Sequence, residues 1–299
     1  MMETLRGLLG SSEDGVSTDE SQWESSRKQV WKTLVYIVIT VGCIVTVFPL
    51  YWMIVAATLP QSEFLTYPPR LIPGTYFIEN FRALQQSLPF IRNIFNSVII
   101  AVIYTILSVF LTSLAGFAFA KYDFKYKRLL FLAILATLVL PIQIIVIPLF
   151  LLMSTIDWVN TFRAVILPWV AHPLGIFLMH QNMKNLPDSL LESARLDGAT
   201  EFQIFYRVAL PPMKPALLAL AVILFMQSWN MFLYPLVVLT GERMYTIPVA
   251  LAQITGGVQR VYYGQVMVAA SLAIIPMFLF FILLQRHFVK GIMSGAVKQ

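Results

Sequence analysis

Charged side chains are scarce in this sequence. Asp, Glu, Lys and Arg together make up 12% of its 299 residues, whereas an ordinary soluble domain carries roughly 25%. A soluble chain of this length needs a charged surface to stay hydrated, so the composition excludes a soluble enzyme and a disordered protein. With hydrophobic residues at 58% and a mean hydropathy of +0.75, it indicates a helical integral membrane protein.

Cysteine and catalytic motifs are also nearly absent. The single cysteine, Cys43, lies in an apolar run, so no intramolecular disulfide or cysteine metal cluster can form, and we interpret it as a packing residue. The sequence has no phosphate-binding loop and no His-Glu-x-x-His zinc motif. The histidines are scattered, and we interpret them as span-end or packing residues: His172, His180 and His287. We therefore expect no catalytic residue, no metal site and no cofactor.

Six stretches contain no Asp, Glu, Lys or Arg, and each is at least 20 residues long. A spanning helix needs about 20 apolar residues, because each adds ~1.5 Å against a hydrocarbon core of ~30 Å. The apolar residues are contiguous rather than alternating, which excludes a barrel. We therefore predict an all-α polytopic membrane protein with six transmembrane helices. The stretches are 33–62, 93–120, 129–156, 164–183, 215–241 and 261–285.

Basic residues are distributed unequally between the segments that flank these stretches. With the N-terminus in the cytoplasm, the cytoplasmic segments hold 15 Lys and Arg residues and the opposite side holds 6. Because Lys and Arg favour the cytoplasmic side, we predict that both termini are cytoplasmic. The same rule explains the net charge of +6 without nucleic acid. Residues 1–32 then form a retained cytoplasmic tail, since they lack the apolar core of a signal peptide, and residues 33–299 form the six-span domain.

Prolines mark two irregular regions. Five of them fall in the external segment 59–92, which argues against one long helix there and leaves room for a short helix at Ile78–Leu88. Pro141 and Pro148 lie in the third stretch. They predict either simple packing kinks or a bend that opens a cavity or moves in gating, and the sequence leaves both open.

The loop of residues 184–214 differs from the other cytoplasmic segments because it holds eight charged residues within a helical pattern. Ser189 and Glu192 fit a capping box that starts a helix running to about Asp197. Gly198 suits the left-handed position that ends a helix.

A second helix follows directly. Thr200 and Gln203 fit another capping box, and the next apolar side chains recur at helical spacing, which gives one apolar stripe. The stripe is Phe202, Phe205, Tyr206 and Ala209. Leu210, Pro211 and Pro212 end this helix, and Pro215 stands near the start of the fifth span. The helix pair is either a hairpin folded against its own bundle or a docking element for a soluble partner.

The loop resembles the cytoplasmic signature of binding-protein-dependent ABC importer permeases. That signature runs Glu-Ala-Ala, one residue, Leu-Asp-Gly-Ala, and later Leu-Pro and a further Pro. The matching residues are Glu192, Ala194, Leu196, Asp197, Gly198, Ala199, Leu210, Pro211 and Pro215, while Ser193 departs from the second-position Ala. Serine is small enough for the same close helix approach.

The resemblance extends over about residues 33–299 and is nearest to the carbohydrate, maltose-type branch of six-span permeases. Other matching features are Asn96-Ser97, Pro141 and Pro148, Trp229-Asn230, Tyr234-Pro235-Leu236, Tyr245-Thr246-Ile247-Pro248, Gly291 and Gly295-Ala296-Val297-Lys298. It implies a type I ABC importer permease fold in the inner membrane and import of sugars or oligosaccharides. The alternative substrate is a polyol, a glycerol phosphate-like compound or another non-sugar solute.

The resemblance also implies partners. Similar importers pair two permease subunits, here expected as a heterodimer in the lipid bilayer. An ABC ATPase dimer binds the paired signature loops and supplies all ATP hydrolysis, and an extracytoplasmic solute-binding protein delivers the solute. The expected ATPase-coupling residues are Glu192, Ser193, Ala194, Asp197, Gly198, Ala199, Leu210, Pro211 and Pro215. Glu192 and Asp197 either pair with basic groups of the ATPase or stabilise their own turn.

Candidate solute contacts lie in the fifth stretch. Aromatic faces can stack on a sugar ring and amides can bond its hydroxyl groups, so we propose Gln227, Trp229, Asn230 and Tyr234 for the path. The alternative is that they join helices and anchor the interface. The external segment 242–262, with Gly256-Gly257, is placed to reach the binding protein.

Two other classes compete with an importer subunit. An intramembrane enzyme needs a nucleophile and base or a carboxylate pair within the spans, and the six stretches hold no carboxylate. A receptor or scaffold without an ATPase partner leaves the helix pair of the 184–214 loop without a purpose.

Overall fold

The computed structural model describes residues 13–64, 66–256 and 261–296, with side chains for 27–64, 66–256 and 261–283. Within these ranges the chain is helical and contains no β-strand, which confirms the all-α prediction. The α-helices are α1 (Glu13–Ala57), α2 (Phe77–Ser87), α3 (Phe90–Lys121), α4 (Lys127–Ala136), α5 (Ile142–Thr155), α6 (Phe162–Ile166), α7 (Pro173–Lys184), α8 (Asp188–Leu196), α9 (Glu201–Gln203), α10 (Lys214–Trp229), α11 (Leu233–Val238), α12 (Ile247–Thr255) and α13 (Tyr263–Ala296). Short 3₁₀ turns occupy Gln61–Glu63, Thr137–Val139, Leu167–Trp169, Pro211–Met213 and Glu242–Met244.

The chain divides into two units at Val55 and Ala56. The first unit consists mainly of α1, which runs without interruption from polar residues into the first apolar stretch. The boundary at residue 32 is therefore a change of composition within one helix. Residues 1–12 of the expected tail lie outside the described residues, as do Val297, Lys298 and residues 257–260.

The predicted spans are present, although two of them are bent. Four helical segments are long and apolar enough to cross a membrane: Arg27–Ala57, Phe90–Lys121, Pro211–Trp229 and Tyr263–Leu283. Two further pairs pass the same test together, namely Lys127–Val139 with Ile142–Thr155, bent by 105°, and Phe162–Trp169 with Pro173–Lys184, bent by 41°. The described residues thus hold six spans if each bent pair counts as one.

The sharp bend of the third span lies at Pro141. Leu140 is extended (φ −72°, ψ 121°) because a proline disfavours helical geometry in the residue before it. Pro148, in contrast, lies inside α5 without breaking it. The predicted kink is therefore confirmed at the first proline and is a break between two helices.

The fifth apolar stretch contains a predicted span, Pro211–Trp229, but residues 215–241 do not form one continuous helix. Helix α10 ends at Trp229, and the chain becomes helical again only at Leu233. Pro235 explains the restart, since the new helix places it in the first turn, where its missing N–H has no helical partner to lose.

Helix α3 is the central packing helix, or column, of the second unit. It packs most extensively on α7 and α10. Two glycines allow α3 and α7 to approach closely. A Cβ on Gly116 of α3 would lie 2.6 Å from Cβ of Met179, and one on Gly175 of α7 would lie 2.9 Å from Cγ2 of Thr112. Small residues serve this purpose in membranes, where helix association depends on van der Waals packing.

Two asparagines near the start of α3 hold a distant loop. Asn93 Nδ2 donates to the carbonyls of Glu242 (2.8 Å) and Tyr245 (3.1 Å), and Asn96 Nδ2 donates to those of Arg243 (2.9 Å) and Tyr245 (3.1 Å). The next residue joins them, because Ser97 Oγ accepts from the N–H of Ile247 at 2.7 Å. Two motifs of the resemblance, far apart in sequence, therefore bind each other directly.

The external segment contains the short helix expected there. Helix α2 spans Phe77–Ser87, which confirms the prediction for Ile78–Leu88 to within a residue at each end. Asn80 Nδ2 ties it to the end of the first span by donating to the carbonyls of Ala57 (3.0 Å) and Leu59 (2.9 Å).

We predict that Gly116→Ala destabilises the folded chain by about 1–3 kcal/mol, the usual cost of overpacking. The new methyl group meets the backbone of α7, with His180 N at 2.8 Å, so the two helices must separate. Gly42→Ala is the matched control, because no atom lies within 4 Å of the position that its new methyl group would take. Thermal unfolding of each variant in detergent measures the difference, and equal midpoints for the two variants would contradict the close-packing account.

Candidate functional site

The 184–214 loop folds as a helical hairpin, which we define as residues 188–209. Helix α8 forms its first arm, and α9 with a π-helical turn at Ile204–Ala209 forms its second. The predicted pair of short helices is present, but the first capping box is wrong. Pro187 precedes the first helical residue, Asp188, so Ser189 is already inside the helix and its hydroxyl group cannot act as the N-cap.

The turn of the hairpin has the geometry predicted at Gly198. This glycine has φ of +80°, which strains any residue with a Cβ. Its N–H donates to Arg195 O and that of Ala199 donates to Ala194 O, both at 3.0 Å. These two bonds form a Schellman motif, in which the residues at the positions of Ala194 and Ala199 commonly contact each other. Both are half-buried, which accounts for small side chains at these positions.

The second arm begins as predicted and then departs from the predicted stripe. Thr200 and Gln203 form the expected capping box, with both reciprocal bonds present. In the following π-helical turn the N–H of Leu210 reaches back to Phe205 O at 3.0 Å. This wider turn shifts the buried face. Ile204, Phe205 and Ala209 are buried, whereas Phe202 and Tyr206 of the predicted stripe are 59% and 64% exposed.

The expected coupling residues lie mainly on the outer side of the hairpin and its exit. Glu192, Ser193, Asp197 and Gly198 are exposed, as are Pro211 and Pro215, while Leu210 is half-buried. Within the described part of the chain, the carboxylates of Glu192 and Asp197 are exposed and make no hydrogen bond and no ion pair. Leu196 beside them is 90% exposed.

The C-terminal end of α3 holds the first arm in place, a contact that sequence reasoning missed. Lys121 Nζ lies 2.7 Å from Asp188 Oδ1 and also donates to the carbonyl oxygen of Leu186. The Lys121 side chain is only 4% exposed. Its buried ammonium group therefore ties the base of the hairpin to the second span.

The neighbouring residue, Tyr122, holds the second arm. Its hydroxyl group donates to Glu201, which also accepts from Arg195 Nε at 2.9 Å, and the Arg195 guanidinium lies 5.8 Å from the Tyr122 ring centre. The bonds from Arg195 and Tyr122 lower the pKa of the Glu201 carboxyl group. The contribution of this carboxylate to the free energy of unfolding is therefore fully present above its unfolded-state pKa. It is lost as the pH falls through the lowered pKa of the folded state.

Three of the four candidate solute residues have side chains that contact other residues of this chain. Trp229 is buried and stacks on Phe225, with ring centres 5.8 Å apart. Tyr234 is fully buried and donates its hydroxyl hydrogen to Ala164 O at 3.0 Å. Asn230 follows the end of α10 and donates its side-chain amide to Met226 O at 2.8 Å.

Gln227 is the candidate that lies at a cavity. This space of about 350 Å³ is also lined by aromatic, imidazole and aliphatic side chains. The remaining lining residues are Tyr104, Ile142, Trp169, His172, Met231, Phe232 and Leu233. Trp169 and His172 belong to the bent fourth span. The sequence suggested only a span-end or packing role for His172, and Trp169 did not stand out because it is a single residue in an apolar stretch.

Comparison with known proteins agrees with this architecture. Residues 112–294 match the family model described as "Binding-protein-dependent transport system inner membrane component". The chain is 38% identical to the arabinooligosaccharides transport system permease protein AraQ of Halalkalibacterium halodurans, over 85% of this chain and 92% of that protein. It is 32% identical to the sn-glycerol-3-phosphate transport system permease protein UgpE of Pectobacterium atrosepticum, over 87% and 95%.

Solved structures share the fold. A chain of a bacterial ABC transporter involved in the import of the acidic polysaccharide alginate superposes with a TM-score of 0.75 at 18% identity, covering 87% of this chain and 97% of that one. A chain from the alginate transporter in complex with its alginate pentasaccharide-bound periplasmic protein gives 0.58 at 17%, covering 85% and 93%. The family match covers more than half of the chain and the AraQ match most of it, so the chain belongs to the binding-protein-dependent inner membrane components and is a multi-pass permease subunit of an ABC importer, not an enzyme.

Proposed function

We propose that this permease imports sugars or oligosaccharides. Its relative AraQ is named for arabinooligosaccharides, and the structures with its fold come from an importer of a polysaccharide. The second candidate is a glycerol phosphate-like solute, because the relative UgpE is named for sn-glycerol 3-phosphate. We further propose that it works with a second, different permease subunit, an ABC ATPase dimer and an extracytoplasmic solute-binding protein.

We propose that the ATPase binds the hairpin of residues 188–209, the proposed grip. The exposed surface of this hairpin is the observation that supports the proposed assembly. Leu196, Phe202 and Tyr206 of the hairpin are exposed, and so are Glu192 and Asp197, whose carboxylates make no ion pair within the described residues. Exposed apolar side chains rimmed by polar groups are typical of protein interfaces. Because the ATPase is cytoplasmic, this assignment places the hairpin and both termini in the cytoplasm, as the distribution of basic residues predicts.

The contacts of Lys121 and Tyr122 explain how the grip acts on the membrane domain. They bind both arms of the hairpin to the end of α3, the helix that packs on α7 and α10. We propose that the hairpin and α3 move as one body when the ATPases close. A displacement of the hairpin then moves α3 and the helices packed on it. A flexible connection between the hairpin and α3 would not transmit that displacement.

At the opposite membrane face, we propose the segment 242–262 as the surface that meets the binding protein. Its first part is held rigidly by Asn93, Asn96 and Ser97, and α12 follows. Gly257 of the predicted Gly256-Gly257 pair lies outside the described residues. A docking loop anchored to the start of α3 would complete a mechanical connection through the same helix.

For the solute path we retain the four residues of the fifth stretch with different roles. Gln227 is proposed to face the solute, since it lines the cavity. Trp229, Asn230 and Tyr234 are proposed to shape the path indirectly, because their present contacts hold the break between α10 and α11.

We predict that Gly198→Asp abolishes transport while the protein still inserts and folds. The substitution strains a residue at φ +80° and adds a charged side chain at the tip of the proposed grip. Gly198→Asn is the matched control for backbone strain, because asparagine tolerates the left-handed region and carries no charge. The measurement is the rate of ATP hydrolysis by the reconstituted transporter when solute-loaded binding protein is added. Normal stimulation of ATP hydrolysis in the Gly198→Asp variant would contradict the proposed role of the hairpin in coupling.

We also predict that the cognate binding protein carries a saccharide. Mass spectrometry of the ligand released from the purified binding protein identifies the solute class directly. A sugar or oligosaccharide supports the proposal, whereas a glycerol phosphate-like ligand would establish the second candidate in its place.

A further inference from the structure

A row of four rings packs where α4 begins and α7 ends. Phe124 contacts Phe119 of α3, with ring centres 5.5 Å apart, and Phe119 contacts Phe131 of α4 at 5.4 Å. Phe131 in turn contacts the imidazole of His180 on α7 at 4.4 Å. The row fixes the turn between α3 and α4 against the end of α7, so the charged side chains of the two segments lie close together.

Two lysines lie one helical turn beyond this row, at the end of the bundle that carries the hairpin. Lys127 precedes Phe131 by four residues on α4, and Lys184 follows His180 by four residues on α7. Residues four apart share a helix face. Because α4 begins at this end and α7 ends at it, the two lysines lie on the same side of the ring contact. The charges of both lysines act on the His180 imidazole, which places both close to it.

The two lysines belong to a basic cluster that is not neutralised. Asp123 Oδ1 lies 3.1 Å from Lys127 Nζ, but the Asp123 side chain is fully exposed, and such a pair contributes little. Within the described ranges, Arg128 and Lys184 make no ion pair. The basic cluster therefore sets four cations against this one carboxylate: Lys125, Lys127, Arg128 and Lys184.

The start of α4 makes this unbalanced charge more unfavourable. The first turn of α4 holds Lys127 and Arg128 and no acidic residue, and its N-cap, Tyr126, makes no side-chain capping bond. A helix N-terminus carries partial positive charge, so cations are repelled there. His180 Nδ1 is also buried and has no hydrogen-bond partner among the residues that the structure describes. An anion bound at the basic cluster would relieve the repulsion.

The surface next to the basic cluster is apolar. Phe124 and Tyr126 are exposed beside it, and Lys125 Nζ lies 5.0 Å from the centre of the Tyr126 ring. Further along α4, three leucines are exposed: Leu129, Leu130 and Leu132. Helix α4 is the first half of the bent third span, so these leucines face acyl chains while the two rings mark the boundary between membrane and water. A ligand that fits both parts of this surface has an anionic head and an apolar tail.

We propose that the basic cluster binds the phosphate headgroup of an anionic phospholipid, whose acyl chains lie against the exposed leucines of α4. Clusters of about four to eight Lys and Arg at span ends, and basic pockets between spanning helices, hold such headgroups. Phosphate oxygens accept charge-assisted hydrogen bonds from lysine and arginine. An acidic partner protein would match the charge but would leave the leucines without a partner. The proposal goes beyond the transport function, since it depends on neither the solute nor the ATPase.

Lipid crosslinking tests the site directly. The assembled transporter is placed in nanodiscs that contain photoactivatable phosphatidylglycerol or, for comparison, photoactivatable phosphatidylcholine with identical acyl chains. Mass spectrometry of the digested chain quantifies the lipid attached to residues 124–132. We expect phosphatidylglycerol to label this segment at least ~5-fold more than phosphatidylcholine, because only phosphatidylglycerol has a net negative charge. Equal labelling by the two lipids would overturn the proposal.

Matched substitutions test whether the basic cluster causes this excess. Arg128→Gln with Lys184→Gln removes two exposed cations that hold no ion pair, so we expect the fold to persist and the phosphatidylglycerol excess to disappear. Arg128→Lys with Lys184→Arg keeps both charges and should keep the excess. The control, Arg82→Gln with Arg92→Gln, removes two exposed cations on α2 and at the start of α3, far from the cluster, and should also keep it. An excess that survives the first pair of substitutions would overturn the proposal.

Two further outcomes identify other occupants. Inorganic phosphate, compared with chloride at equal ionic strength, should leave the labelling unchanged, because it offers no apolar tail. Displacement of the lipid by phosphate would assign the cluster to a free anion and overturn the lipid assignment. If neither lipid labels residues 124–132 in the assembled transporter, a partner protein covers the turn, and that result would overturn the proposal as well.

Discussion

The close approach of α3 and α7 is the contact on which the second unit depends. Gly116 receives Met179 of the facing helix, and Gly175 receives Thr112, so each helix supplies a gap for the other. Apolar side chains gain little by leaving lipid for protein, and association must come from such close packing. This pair of contacts fixes α3 as a rigid column against which the broken third, fourth and fifth spans can be arranged.

The functional elements all attach to that column. Asn93 and Asn96 hold the proposed docking loop near its start, Tyr104 lines the cavity along its length, and Lys121 and Tyr122 bind the hairpin at its end. The arrangement gives a physical reason for transport without chemistry in this chain. A force applied to the hairpin acts on one stiff helix that also borders the proposed solute site and the opposite loop.

The sequence predicts those features whose physical cause is local. Charge-free stretches mark the spans because a charge in lipid is costly, and Gly198 marks the turn because few other residues adopt positive φ. The capping box at Thr200 is predictable because its cause is also local, in residues Thr200 and Gln203. The capping box predicted at Ser189 is wrong because the helix begins earlier, directly after Pro187. Charge-free length says nothing about continuity, which is why the break after Trp229 escapes prediction.

The remaining features depend on partners far apart in the chain. Lys121 and Asp188 are separated by 67 positions, and in the sequence the lysine is merely one of several basic residues in a short turn. The π-helical turn at Ile204–Ala209 moves the buried face by a wider hydrogen-bonding pattern that hydrophobic spacing does not encode. Trp169 and His172 acquire meaning only once three breaks bring them to one cavity.

The central claim is that the hairpin and α3 move as one body, and a distance measurement tests it most directly. Spin labels replace Leu196 at the hairpin tip and Lys125 beyond the end of α3, both exposed, in the Cys43→Ala background of the assembled transporter. The account predicts the same electron–electron distance distribution in the nucleotide-free and ATP–vanadate-trapped states, and a shift between them after Lys121→Met. A shift between the two states with Lys121 in place would contradict it.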